Sequence, residues 1–272
     1  MYNGHSYFII NQIQFIGGQI LKKSSNQFLL ISFIISYTCF GLLIYFKVIF
    51  NDIFSNPSYL FIFILGCLGP LISAFLVHIL NRENLGGVKG FTTKLKAINT
   101  PKNIILIPIF LVLHYGFAIL LKGVYKYGNF TDFFFYLPFL ILILGSQEIG
   151  WRGIVQPANE EKSGFWKSSI STGLFWSLWF LPLIYIPKFI VLPQFYAQFS
   201  AYLVGISILL TTLYKASGSI MYCVILSSLI FSLFPVIILN QSFVLVVIAL
   251  VDAIIASTFM SMSKALPKKL KI

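Results

Sequence analysis

Eight apolar runs, near 27–46, 58–80, 103–121, 131–148, 168–187, 197–214, 219–239 and 242–262, constrain this chain more than any other feature of it. A helix needs about 20 apolar residues to cross the hydrocarbon core, and backbone groups in lipid must be bonded within the spanning structure. The runs lack the alternation of barrel strands. The sequence therefore predicts an all-α polytopic membrane protein of about eight transmembrane helices. With 58% hydrophobic and 10% charged residues, and 29 Phe and 14 Tyr, too little polar surface is left to cover a water-soluble particle. A single transmembrane bundle is expected over 27–263. Residues 1–26 precede it as a cytoplasmic or interfacial segment, with Tyr7–Ile10, Ile13, Phe15 and Ile16 ahead of Lys22 and Lys23, and 264–272 follow as a basic cytoplasmic tail.

The formal charge of +12 is distributed as topology rather than as a nucleic-acid face. Lys22 and Lys23, then Arg82, Lys89, Lys94, Lys96 and Lys102, then Arg152, Lys162 and Lys167, Lys215, and finally Lys264, Lys268, Lys269 and Lys271 fall on one side of the predicted spans. Only Lys47, Lys122, Lys126 and Lys188 fall on the other. The positive-inside bias places both termini in the cytoplasm. Nucleic acid is not an expected partner. Cys39, Cys67 and Cys223 lie inside spans, without the number or spacing of a disulfide framework or zinc knuckle, and read as packing residues. No cleavable signal peptide is expected.

Polar residues inside apolar runs carry the functional expectation. In Gly145–Pro157, GSQEIGWRGIVQP, Glu148 and Arg152 are four residues apart, on one helical face and within pairing reach, at the mouth of the fourth span. FWSLWFLP at Phe175–Pro182 is the stretch expected to meet it, with Trp176 and Trp179 turned toward other helices. Gly66, Gly69 and Pro70 predict close helix approach and a kink in the second span. Residues 81–102 and 153–167 read as cytoplasmic connectors. His78 and His114 are the intramembrane histidines, and Asp252 sits mid-span in the last helix. An unpaired carboxylate at Asp252 is disfavoured, so it is expected to be protonated, hydrogen-bonded or functional.

Three stretches together resemble the CPBP family of intramembrane proteins, which takes in CAAX proteases and bacteriocin-processing or Abi proteins. SQEIGWRGIVQP resembles its first motif, two adjacent glutamates followed by an arginine. GLFWSLWFLP resembles its second, which ends in W-H-LP, and GSIMYCVILSSLIF its third, a histidine followed four residues later by asparagine. GPLISAFLV also resembles the family's second helix. The likeness covers about 60–235. Residue by residue, the first glutamate falls on Gln147, the second on Glu148 and the arginine on Arg152. The first histidine falls on Phe180, the second on Ser227 and the asparagine on Phe231.

The resemblance implies an intramembrane endopeptidase in which the first glutamate activates water while histidines and asparagine hold a metal or stabilise the oxyanion. Here the reacting positions are changed. Glutamine is no general base near neutral pH, phenylalanine neither ligates nor donates, and serine is a poor zinc ligand. Ser227 has no evident base of its own. The expectation is a proteolytically degenerate CPBP/Abi-like protein that keeps Glu148 and Arg152, has no catalytic residues, metal or cofactor, and acts through a membrane or secreted protein or peptide partner. Immunity or envelope regulation is the role implied by resemblance. Two rivals stand beside it. One is an active CAAX-type endopeptidase using Glu148 with zinc or another divalent metal. The other is a small proton-coupled transporter using Asp252 with His78 or His114, although no paired broken helices recur in two halves.

Overall fold

The computed structural model describes residues 3–189, 191–240 and 243–265, and within them side chains from 19 to 262. The basic tail expected at 264–272 lies outside the described residues from 266 onward, as do the side chains of 1–18.

The chain is helical almost throughout. α1 (Asn3–Tyr45) is one continuous helix. α2 (Pro57–Cys67) starts on Asn56, whose side chain accepts from the amides of Ser58 and Tyr59 at 2.9 and 3.4 Å, with Pro57 at the first position. α3 (Gly69–Leu80) continues it after a 50° bend. The small residues flagged in the sequence sit at that bend. A Cβ on Gly69 would meet the Ser36 hydroxyl of α1 at 2.2 Å, so only glycine permits the approach. Ser36 bonds across the gap to the Gly66 carbonyl at 2.7 Å.

The expected connector 81–102 holds two short helices, α4 (Arg82–Leu85) and α5 (Gly87–Lys96). α6 (Leu106–Leu120) leads to a short strand, β1 (Val124–Tyr127), then α7 (Phe130–Ile143), the single turn α8 (Glu148–Gly150) and α9 (Gln156–Phe180). α10 (Tyr196–Ser217) and α11 (Ile220–Leu233) follow, the latter capped by the Ser219 hydroxyl on the Tyr222 amide. β2 (Ile237–Leu239) and α12 (Phe243–Ala265) complete the order.

Among the described residues, five helical stretches are long and apolar enough to cross a membrane, or six with α2–α3 taken as one bent span. One of the five, Phe130–Tyr185, runs 56 residues, far beyond the roughly 20 that one crossing needs. It is not one rod. Gly164 has φ 73° and ψ 177°, an extended left-handed geometry foreign to a helix and open chiefly to glycine. Around it Gln156 bonds Ser168 at 2.8 Å and Asn159 bonds Ser171 at 3.2 Å. A straight helix would separate such pairs by about 18 Å, so the chain folds back at Gly164.

The antiparallel pair β1–β2, with Val124 opposite Leu239 and Tyr127 opposite Ile237, was not expected. Strands of 4 and 3 residues are too short to print an alternating pattern, and they lie too far apart in sequence to read as a hairpin. In the bundle, α10 packs between α9 and α12, while α1 packs on α2, α3 and α9. Trp151, Trp176 and Trp179 are all fully buried, as expected for the latter two.

Candidate functional site

From Gly145 to Gln156 every residue is buried, charged ones included. The helical gauge changes three times in this short run: 3-10 over Gly145–Gln147, α over α8, and a π-turn over Trp151–Val155 before α9. The run is buried on every side because α1, α3, α9 and α11 all pack around it. Isolated π-turns of this kind gather at functional sites. Glu148 and Arg152 therefore stand buried in the bundle interior.

Gln147 is held at four points. Its amide nitrogen donates to the carbonyls of Ile143 at 2.8 Å and Cys67 at 3.2 Å. Its oxygen accepts from the indole N–H of Trp176 at 3.2 Å, and that of Trp151 lies at 3.5 Å. Two carbonyls require the amide nitrogen on one side and two indoles require the oxygen on the other, so the orientation is fixed by its surroundings. The side chain ties α7, the α2–α3 break and α9 together, and nothing remains free for chemistry.

Glu148 and Arg152 pair as their spacing predicted, with Nε 3.3 Å from Oε2 and both side chains fully buried. The contact is Coulombic more than hydrogen-bonded. Neither carboxylate oxygen and none of the three guanidinium nitrogens has a well-directed protein partner among the described residues. Thr172 Oγ1 and Gln156 Oε1 are likewise unpartnered. Such a pair resists removal of either member alone.

Phe180 and Phe231 come together although 51 positions separate them in sequence. Their rings stack with centroids 6.3 Å apart, and Trp176 sits edge-on to Phe231 at 5.7 Å. Both line a cavity of about 730 Å³ with Cys67, Ile143 and Phe199. Ser227 is buried, and its hydroxyl is spent on the Val224 carbonyl of its own helix at 3.2 Å. A divalent metal does not fit these positions: two phenyl rings and a self-bonded hydroxyl offer no ligand set. Among the described residues no three His, Cys, Asp or Glu side chains gather elsewhere to supply one.

The two intramembrane histidines do not converge on the cavity. His78 bonds the Ala74 carbonyl of α3 at 2.8 Å and lies edge-on to Phe91 of α5. His114 belongs to a second polar centre. Its Nδ1 lies 3.0 Å from both oxygens of Asp252, and its Nε2 lies 2.9 Å from the Tyr202 hydroxyl, with all three side chains fully buried. Both ring nitrogens are engaged, one by the Asp252 carboxyl and the other by the Tyr202 hydroxyl. Asp252 is thus hydrogen-bonded inside the bundle, and its partner is His114 rather than His78. Tyr202 was missed in the sequence, where one tyrosine among 14 carries no signal. Tyr115, also missed, donates to the Ile230 carbonyl at 2.6 Å and so braces α11 just before Phe231.

Residues 129–233 match the family profile described as type II CAAX prenyl endopeptidase, Rce1-like. The segment contains all six motif positions. The chain is also 28% identical over 178 residues to "CAAX prenyl protease 2" of Methanococcus maripaludis, an alignment covering 61% of this chain and 64% of that relative. The chain thus spans less than two thirds of the curated relative's length.

Proposed function

We propose, from comparisons that support the CPBP/CAAX protease family for this chain, that it is a multi-pass protein of a bacterial cytoplasmic membrane which keeps the family's interior cavity without its hydrolytic groups. It binds a membrane or secreted protein or peptide there and does not cut it. Immunity and envelope regulation are the roles that suit such a protein. The observation that carries this reading is Gln147. At the position of the water-activating glutamate stands an amide whose hydrogen-bonding capacity is used by four protein groups. The stacked Phe180–Phe231 wall supports it as well, since it presents hydrocarbon where a polarised water would need ligands. Eight crossings with both termini inside is the topology that accompanies the reading. It takes the reversal at Gly164 as a cytoplasmic turn and α11 as a crossing.

Metal content tests this directly. The wild-type protein, purified in mild detergent and dialysed against zinc, is expected to hold substoichiometric metal, and a Phe180→His/Ser227→His variant is expected to gain it. Stoichiometric zinc in the wild type, together with peptide cleavage lost in Glu148→Ala, would replace this reading with that of an active endopeptidase.

A further inference from the structure

The interior cavity has an aromatic and aliphatic wall, and two of the loops that line it carry lysines. Phe50 and Phe189, which both line it, meet edge to face at 5.1 Å, and their loops are joined by the Phe50 amide donating to the Pro187 carbonyl at 2.9 Å. Beside them on these two loops stand Lys47 and Lys188, both exposed and both at positive φ, 53° and 61°. Lys47 closes α1: its amide donates to Ile44 O at 2.9 Å and that of Val48 to Leu43 O at 3.0 Å. This closure ordinarily ends on glycine. A left-handed lysine costs about 1 kcal/mol, partly offset by its charge at a helix C-terminus. The same closure recurs at Lys122 (φ 52°), beyond α6 at the same end of the bundle. The acidic residues at this end are Asp52, on the Phe50 loop, and Asp132, at the start of α7. Four lysines, counting Lys126, outnumber them. One wall residue, Phe135 of α7, is 80% exposed, so the cavity reaches the outer surface of the bundle.

We propose that the cavity takes an acyl chain of an anionic membrane phospholipid, entering past α7, with its phosphate held at Lys47 and Lys188. The proposal rests on the reading of this cavity as a non-hydrolytic binding chamber. It makes a bilayer lipid the resident occupant that a protein or peptide partner would displace: a hydrocarbon chain fills the apolar interior, and a negative head meets the lysines of the Phe50 and Phe189 loops. The chain end would lie against Phe180 and Phe231, within reach of Trp176 behind them.

That tryptophan makes the test optical. The full-length protein in a Trp166→Phe background, which removes the 42% exposed indole, is titrated in detergent with phosphatidylglycerol carrying dibrominated acyl chains, and in parallel with dibrominated phosphatidylcholine. About 1 kcal/mol per lysine near an anionic head, discounted for the two aspartates, corresponds to quenching by the glycerol lipid at about tenfold lower concentration. In Lys47→Asn/Lys188→Asn the preference is expected to fall within about twofold. Asparagine tolerates positive φ, so the variant keeps its turns, and an unchanged melting temperature verifies this. Equal quenching by the two lipids in the wild type, no quenching by either, or a preference that survives in the variant would each overturn the proposal. None of these outcomes bears on metal content, so the lipid proposal and the non-hydrolytic reading fail separately.

Discussion

At the scale of single residues the interior contrasts two ways of burying a polar group. Gln147 is saturated by four neighbours, whereas Glu148 and Arg152 have only each other, at 3.3 Å. Arg152→Ala leaves a fully buried carboxylate without its counter-charge and is expected to destabilise the protein by about 3–5 kcal/mol, read as a lower melting temperature in detergent. Arg152→Met with Glu148→Gln removes both charges and is expected to recover most of that loss. If the single variant melts like the wild type, the pair carries no structural weight. The pairing was legible because four residues on one helix face is a local relation. Its burial was not, since it comes from α1, α3, α9 and α11 closing around the segment, and one sequence does not say which helices surround which. The stack of Phe180 on Phe231 and the bond of His114 to Asp252 were also illegible as contacts. Each joins residues far apart in the chain, and one sequence carries no register between helices.

Among elements, α5 shows how a connector becomes part of the site. The stretch reads as loop because it is basic and rich in glycine, yet it forms a helix that leans on α3 and reaches the π-turn. Lys94 Nζ donates to the Gly153 carbonyl at 2.8 Å. The residue four further on is Pro157, which has no amide hydrogen to offer that carbonyl. Burial lowers the Lys94 ammonium below its ordinary 10.5. The folded protein therefore releases this proton before the unfolded chain does. Between the lowered value and 10.5 the unfolded state binds more protons, and stability rises with pH. Melting temperatures from pH 7.5 to 10 should rise in the wild type relative to Lys94→Met, and parallel curves would place the amine in solvent. The apolar runs, by contrast, were placed well from sequence. Burial in lipid writes itself into composition directly, and even the break in the second span was announced by Gly69 and Pro70.

For the molecule as a whole, the reversal at Gly164 decides how the long stretch from Phe130 to Tyr185 is divided, and with it the sidedness of everything downstream. The exposed positions Asn51 and Ser163 lie on opposite ends of the bundle in the eight-crossing arrangement. The native Cys39, Cys67 and Cys223 are free and buried, so a membrane-impermeant maleimide applied to intact cells should label Asn51→Cys and spare Ser163→Cys until the cells are opened. Labelling of both from outside would reverse the assignment.

The four-point hold on Gln147 has a consequence for any route by which this sequence could acquire hydrolytic chemistry. A glutamate at 147 would turn one carboxylate oxygen toward the carbonyls of Ile143 and Cys67, where the amide now donates twice, and a buried acceptor facing acceptors is penalised by its full desolvation cost. The carboxyl would stay protonated or the α2–α3 break would have to shift, and in either case a single codon change yields a less stable protein with no working base. On the non-hydrolytic reading, a working base at 147 would need the backbone around Cys67 to move as well, and the hold on Gln147 is then itself an obstacle to gaining a base at this position.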